Sequence, residues 1–278
     1  MTRLEIDIAR RDRAWQSDTR RVHDFEDAVR MLDDLGFVLP WRRSGIDLPS
    51  WREAYPHHVA REPGPIWRWK EVLPQKRLGY YGKILRKGPC CVSLEYLPCF
   101  YALSQRNGEA DEYLYSYRMG RLSSTAKQVM DNLVAAWPVS TYELRDRLFL
   151  KTRESHQTLN RALDELQGSM YACVAMASDE ADREYTYYWA PVDAVFRDQV
   201  ALASEIPSAE AARRLVARYV RSAVCCAVAY PGWLFGLKKQ TYDRALQDCR
   251  SAGEIRVLDG LEGLPGPCLV SADFESAR

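Results

Sequence analysis

The chain has 278 residues, of which 47% are hydrophobic and 11% aromatic. This composition supports two or three folded domains and argues against intrinsic disorder. The formal net charge is only +1, so evidence for nucleic-acid binding has to come from a local concentration of positive charge and not from the total. We expect no signal peptide and no membrane span, because no apolar run reaches roughly 18 residues. The eight cysteines form no Cys-x-x-Cys pair, which favours reduced thiols in the cytoplasm.

The N-terminal part is basic and aromatic. Residues 22–35 have apolar positions at helical spacing, and Gly36 ends that predicted helix. Residues 36–90 are rich in Pro, Gly, Trp and Tyr and carry eleven Lys or Arg against four acids. The first 34 residues carry seven Arg against nine acids, so the near-neutral total conceals a local positive patch.

Cations and aromatic rings alternate within this patch. Cations could hold phosphates while rings stack on bases, although Trp and Tyr are also common core residues with Lys and Arg stems lying over them. The predicted nucleic-acid contacts are Trp67, Arg68, Trp69, Lys70, Lys76, Arg77, Lys83, Arg86 and Lys87.

From residue 120 the pattern becomes regular. A first helix is capped near Ser123 and ends before Pro138, and Ser140 with Glu143 has the form of a capping box that opens a second. A third helix is predicted from Arg153 to Gln167, with Leu159, Ala162, Leu163 and Leu166 buried, followed by strands at 171–176 and 185–189. Three helices followed by a hairpin is the order of a winged helix.

The order recurs after Pro207, with helices predicted from Ser208 and over 238–250, a short element at 231–236, and strands at 255–258 and 268–271. The octapeptides 158–165 and 241–248 align, with Thr, Arg, Ala and Leu at the same positions. The predicted fold is therefore mainly α with small β-hairpins (α+β), with tandem winged helix-turn-helix modules behind a basic, aromatic-rich N-terminal region. The predicted segments are 1–119, 120–200 and 201–278.

In a winged helix the third helix usually enters the major groove, where Gln and Asn can pair with adenine and Arg with guanine. A solvated helix face with no partner is the alternative. The predicted DNA contacts are Lys151, Arg153, His156, Gln157, Asn160 and Arg161 in the first module, and Lys238, Lys239, Gln240 and Arg244 in the second.

Enzyme signatures are scarce. The chain has no Walker loop, dinucleotide fingerprint, Gly-x-Ser-x-Gly or His-Glu-x-x-His motif. His57-His58 lacks a companion cluster for a metal, and Glu71 suits a salt bridge better than activation of water. We predict no cofactor and no metal site.

Several segments together resemble the winged-helix DNA glycosylases of the AlkZ and YcaQ type, and most closely the shorter AlkZ-related proteins. The segments are Gly45-Ile-Asp-Leu-Pro-Ser50, Trp67-Arg-Trp-Lys-Glu-Val-Leu-Pro74, Tyr80-Tyr-Gly-Lys-Ile-Leu-Arg86, Val92-Ser-Leu-Glu-Tyr-Leu-Pro98 and Ala211-Ala-Arg-Arg-Leu-Val-Ala-Arg-Tyr219. The resemblance implies a tandem winged-helix, DNA-binding frame. In the glycosylases it also implies excision of alkylated or crosslinked bases, with water positioned by a Gln-x-Gln or Gln-x-Asp motif. Taking that motif as absent here, we transfer no catalytic residue.

Three functions follow from these patterns. The first is a cytoplasmic, nucleoid-associated protein that recognises damaged or distorted double-stranded DNA, either as a divergent glycosylase or without catalysis. The second is a sequence-specific transcriptional regulator. The third is a protein-interaction scaffold that uses winged helices without DNA.

Overall fold

The computed structural model describes residues 2–56, 64–178, 185–259 and 266–274. It is a mixed α/β protein, rich in helices, with small antiparallel sheets. In chain order the elements are α1 Arg3–Arg13, α2 Phe25–Leu35, β1 Phe37–Val38, α3 Trp51–Ala54, α4 Gly64–Gln75, β2 Tyr80–Leu85, β3 Gly88–Val92, α5 Leu97–Leu103, α6 Glu112–Arg118, α7 Ser124–Ala135, β4 Val139–Ser140 and α8 Thr141–Arg147. There follow α9 Arg153–Gly168, β5 Ala172–Ala177, β6 Tyr187–Pro191, α10 Val192–Val195, α11 Arg197–Ser204, α12 Ser208–Ala223, β7 Cys225–Ala227, α13 Tyr230–Leu234, α14 Lys239–Ser251, β8 Ile255–Leu258 and β9 Cys268–Ser271. No helix within the described ranges has the length and apolar character needed to cross a membrane.

The chain divides into two compact units. Unit 1 combines Met1–Ile66 with Ile206–Arg278, and unit 2 is Trp67–Glu205. The first predicted module therefore lies in unit 2 and the second in unit 1. The predicted boundary at residue 200 falls inside α11, and the division into three segments stays a prediction.

Unit 2 contains the predicted series of three helices and two strands, with a short extra strand. The order is α7, β4, α8, α9, β5, β6, and the sheet has the strand order β4-β6-β5. Trp189 of the central strand pairs with Val139 on one side and Val174 on the other. The capping box predicted at the start of α8 is confirmed, since the side chains of Ser140 and Glu143 bond each other's backbone N–H.

Helix α9 positions the site described below. It begins one residue after Thr152, whose hydroxyl accepts a hydrogen bond from the Ser155 N–H at 3.2 Å. All four positions predicted for its apolar stripe are buried, and the stripe packs against α7 and β5. The opposite face of α9 is consequently turned to solvent.

Unit 1 repeats this order of elements. Helix α12 is followed by β7, α13, α14, β8 and β9, and the sheet has the order β7-β9-β8. Helix α12 packs on α14, as α7 packs on α9 in unit 2. Strands β8 and β9 have the bounds predicted from the sequence. Helix α1 adds Ile6 to the core of this unit, beside Val224, Val270 and Phe274.

An arginine of α1 secures the end of α12. Val224, which follows α12, has a φ of 65°, in the left-handed region that β-branched residues avoid. The Arg10 guanidinium donates to the carbonyl oxygen of Ala223 at 2.8 Å and also to that of Cys225. The first bond satisfies a carbonyl group at the end of α12 that the helix itself cannot pair, and the second ties α1 to the first residue of β7.

We therefore expect Arg10→Met to lower the free energy of unfolding by about 2 kcal/mol, the effect of losing charge-assisted hydrogen bonds. Arg3→Met is the matched control, because Arg3 is exposed and its i,i+4 pair with Asp7, at 3.8 Å, is solvated; it should cost less than about 0.5 kcal/mol. Urea denaturation of both variants measures the difference, and equal losses would contradict the capping role of Arg10.

Candidate nucleic-acid interface

The residues predicted on the third helix of unit 2 share one solvent face. Arg153, Gln157, Asn160 and Arg161 are exposed on α9, His156 is half-buried, and exposed Lys151 precedes the helix. Their spacing of three and four residues places most of them on one side of the helix, opposite the apolar stripe. The face combines three cations with two amide side chains that are able to recognise base edges.

The cations of this face are not neutralised by acids. Among the described residues, Lys151, Arg153 and Arg161 have no carboxylate within salt-bridge distance. In unit 1, by contrast, Lys239 of α14 pairs with Asp243 at 2.5 Å and Arg244 pairs with Asp248 at 3.9 Å. Both α14 pairs are exposed, as are Lys238 and Gln240. The α9 face therefore has more unpaired positive charge to offer a phosphate than the α14 face.

A cavity of about 300 Å³ opens beside α9 within unit 2. Its walls come from β2, α8, α9, β5 and β6 and from the residues just before β6. The lining residues are Tyr81, Gly82, Lys83, Thr141, Tyr142, Arg145, Asn160, Leu163, Asp164, Gln167, Val174, Tyr185, Thr186, Tyr187 and Trp189. Asn160 thus belongs both to the exposed face of α9 and to the wall of this cavity. We call the cavity the aromatic pocket, after its four tyrosines and one tryptophan.

Behind the aromatic pocket lies a buried ion pair. The Lys70 side chain is only 1% exposed, and its ammonium donates to Glu71 Oε1 at 3.0 Å, Tyr185 OH at 3.2 Å and Tyr187 OH at 2.5 Å. The Lys70 Nζ also lies 4.1 Å from the centre of the Trp67 ring. All three N–H donors of the lysine are therefore in use.

The ion pair fixes the tyrosines of the pocket wall. The Tyr185 hydroxyl donates to Glu71 Oε1 at 2.6 Å, so Lys70 and Glu71 hold it from two sides. Burial and then the hydrogen bond to Glu71 raise the pKa of Tyr185, which keeps the hydroxyl protonated and able to donate. Glu71 thus forms the salt bridge that the sequence favoured over a role in activating water.

The Trp67–Lys70 segment is divided between surface and interior. Trp69 and Lys70 are buried, so in this structure they support the fold and present no surface to DNA. Trp67 is 41% exposed, with its ring 5.7 Å from that of Tyr185, and Arg68 lies 3.6 Å from Glu71. Of these four predicted contacts, Trp67 is the most accessible.

The other predicted cations of the basic segment lie after α4, within β2 and in the turn that follows β2; Lys83 and Arg86 are half-buried and the rest are exposed. Lys76 and Arg77 follow the end of α4, and Lys83 pairs with Asp164 of α9 at 2.7 Å. Arg86 and Lys87 form the two-residue turn between β2 and β3, with φ values of 49° and 56°. Two consecutive positive φ values are typical of a type I′ turn, in which Asn-Gly is the favoured pair. Arg86 and Lys87 occupy these positions instead, and their positive φ values strain the backbone of the turn.

The sequence analysis did not include Tyr142, Arg145, Tyr187 or Trp189 among the candidate residues. The sequence does contain a signal for part of this group. Every second residue from 185 to 189 is aromatic (Tyr185, Tyr187 and Trp189), and side chains two positions apart on a strand lie on the same face. Thr141 and Tyr142 follow a capping box and had no such signal. Their place in the pocket depends on the packing of α8 against β6.

Within the described ranges, no group of three or more potential ligands is placed to hold a metal ion. His57 and His58 lie outside those ranges.

Unit 1 contains a second cleft, of about 800 Å³, lined by four arginines and by Gln16. The arginines are Arg10, Arg11, Arg42 and Arg43, and the cleft also includes Asp47 and Glu53. Treating the Gln-x-Asp motif as absent was wrong at one position, because Gln16-Ser17-Asp18 has that spacing. Gln16 lines the cleft, and Asp18 is exposed nearby in sequence.

Comparison with known proteins gives one family. The sequence model of the family described as AlkZ related matches residues 22–229. Among solved structures, the chain is similar to the Streptomyces sahachiroi DNA glycosylase AlkZ, with a TM-score of 0.60 and 13% sequence identity. The similarity covers 98% of this chain and 70% of that one, and at this identity it shows a shared fold. No curated protein matches the chain. The tripeptide Gln16-Ser17-Asp18 precedes the matched residues, so the family match assigns it no catalytic role.

The buried ion pair yields a stability prediction. Lys70→Met leaves the buried Glu71 carboxylate with the Tyr185 hydroxyl and the more distant Arg68 as its partners. We expect it to lower the free energy of unfolding by about 3 kcal/mol. The double variant Lys70→Met/Glu71→Met removes the uncompensated charge and should be more stable than Lys70→Met by itself. Chemical denaturation of the single and double variants tests this, and losses that simply add would contradict the pairing.

Proposed function

The chain belongs to the AlkZ-related family, and on that basis we propose that it is a DNA-repair-related protein that recognises damaged or distorted double-stranded DNA through unit 2. The observation that carries the proposal is the α9 face, where unpaired cations and two amides lie beside an aromatic pocket. Cations hold the phosphate backbone, amides pair with base edges, and rings stack on exposed bases. The cytoplasm, at the nucleoid, is where we expect such a protein to work.

We further propose that the repeated order of elements is a tandem of winged helix-turn-helix modules. In each repeat a three-helix set is followed by a hairpin, and a short strand after the first helix joins the sheet. On this view α9 is the helix that enters the major groove and the β5–β6 hairpin is its wing. Helix α14 would occupy the same place in the second module, with its cations partly neutralised by Asp243 and Asp248.

A sequence-specific regulator is the second candidate, favoured by the exposure of Gln157 and Asn160. The two functions differ in what the α9 face discriminates: a regulator needs one base sequence, and a repair protein needs a disturbed duplex. Binding to a random-sequence duplex library therefore separates them, because only the regulator enriches a consensus that Gln157→Ala degrades.

We expect affinity to fall steeply with salt and to be higher for duplexes with an abasic or alkylated site than for intact duplex or single strands. Arg153→Ala should weaken binding to all of them and lower the slope of log affinity against log salt by about 1, as the loss of one phosphate contact does. Fluorescence anisotropy at several salt concentrations measures both effects.

Arg118→Ala removes an equal charge from α6, elsewhere in unit 2, and should leave the slope unchanged. Flat, weak binding of the unaltered protein to every DNA would contradict the proposal and favour a protein-interaction role.

The turn between β2 and β3 gives a separate prediction. Lys87→Gly places a residue suited to positive φ at an exposed turn position and should raise the free energy of unfolding by about 1 kcal/mol. The same change should weaken DNA binding, because it removes a predicted phosphate contact. Lys87→Asn, which also tolerates positive φ, controls for any property of glycine. A variant that is both more stable and equally tight in binding would exclude Lys87 from the interface.

A further inference from the structure

We propose that the aromatic pocket accepts a single nucleobase extruded from a disturbed DNA duplex. The inference rests on the proposed DNA-binding function and deepens it by naming the part of the DNA that the pocket takes. An extruded base presents two flat faces and one polar edge, and the pocket offers partners for each.

The size of the pocket suits one base. Its volume of about 300 Å³ is at the lower end of the roughly 300–1,000 Å³ typical of ligand pockets. The sugar and phosphates of the extruded nucleotide would then stay outside. Helix α9, which forms one wall of the pocket, carries Arg153 and Arg161 on its exposed face. We expect these two cations to meet the backbone of an extruded nucleotide. Lys83 also lines the pocket, but it pairs with Asp164 at 2.7 Å.

Aromatic rings supply the surfaces on which a base stacks. Tyr142 and Tyr185 are 37% and 45% exposed and therefore belong to the mouth of the pocket, whereas Tyr81 and Trp189 are buried. Every base has a π face, so a pocket of this kind accepts bases of different identity. The buried Lys70–Glu71 pair holds Tyr185 and Tyr187 in place before any ligand arrives. A pre-positioned ring loses little freedom on binding.

Two polar groups of the pocket wall are available to a base edge. The Arg145 Nε is buried without a hydrogen-bond partner among the described residues, and the Asn160 amide is exposed to solvent at the edge of the wall. An amide side chain can donate and accept at a base edge, and a guanidinium donates to base nitrogen or oxygen acceptors. A buried donor without an acceptor is costly, so a ligand that supplies the acceptor is favoured. The edge of an extruded purine provides such acceptors.

The test compares two duplexes of the same sequence, one fully paired and one with a single adenine opposite an abasic site. The unpaired adenine is easy to extrude because no pairing is lost. The full-length protein should bind the second duplex more tightly. Tyr142→Ala should weaken binding to the unpaired-adenine duplex by about tenfold, the effect of losing one stacking ring, and leave the paired duplex nearly unchanged. Asn160→Ala should weaken binding to both duplexes, because Asn160 also lies on the exposed face of α9, and more strongly to the unpaired-adenine duplex.

Tyr117→Ala is the matched control, since this half-exposed tyrosine lies on α6 in the same unit, outside the pocket. Urea denaturation of each variant verifies that the fold is retained. Equal weakening of both duplexes by Tyr142→Ala and Asn160→Ala would overturn the base pocket while leaving DNA binding intact. An absence of binding to either duplex by the unaltered protein would overturn the proposed function itself. Tight binding of free adenosine without preference for the unpaired duplex would assign the pocket to a small nucleoside and overturn extrusion.

Discussion

The fold of unit 2 depends on satisfying the buried ammonium group of Lys70. Taking an ammonium and a carboxylate out of water costs several kcal/mol per ion, and only complete pairing offsets that cost. Lys70 meets the requirement with three acceptors, Glu71, Tyr185 and Tyr187, and with the face of Trp67. The partners come from α4, from β6 and from the residue two positions before that strand. The hydrogen bonds of Lys70 therefore hold α4 against β6 and the residues just before it, although these segments are distant in the sequence.

This requirement also explains the character of the candidate site. The tyrosines that satisfy Lys70 turn their hydroxyls toward the buried pair, and their rings line the aromatic pocket. Helix α9 closes another side of the pocket and carries Asn160 at the boundary between the pocket and the solvent face. Charge for phosphate, amides for base edges and rings for stacking are consequently brought together within one unit. This combination suits the function that we propose for this member of the AlkZ-related family, the recognition of a duplex with a disturbed base.

Much of the fold follows from local signals in the sequence. The bounds of α9, α12 and α14 agree with prediction to within about one residue, because apolar spacing, capping residues and Pro or Gly breaks are local in the chain. The family was likewise predicted from five segments, all of which lie within the residues that the family model matches. Strand β6 begins two residues later than predicted, where the alternation of aromatic residues continues without strand pairing.

The site was harder to predict, since it depends on contacts between remote segments. Trp67, Arg68, Trp69 and Lys70 form one run of cations and rings, yet burial separates Lys70 and Trp69 from the solvent-facing Trp67. The local composition of residues 67–70 does not predict which of the four side chains contacts the buried Glu71 carboxylate. The pairing of Lys70 with Tyr185 and Tyr187 spans more than a hundred residues, so only the folded chain shows it.

The most direct test of the account is hydrogen–deuterium exchange of the full-length protein with and without a duplex that contains an abasic site. The account predicts slower exchange at 141–147 and at 151–164, where the mouth of the aromatic pocket and the N-terminal part of α9 lie. Unchanged exchange in both segments, under conditions where anisotropy shows the DNA to be bound, would place the interface elsewhere and contradict it.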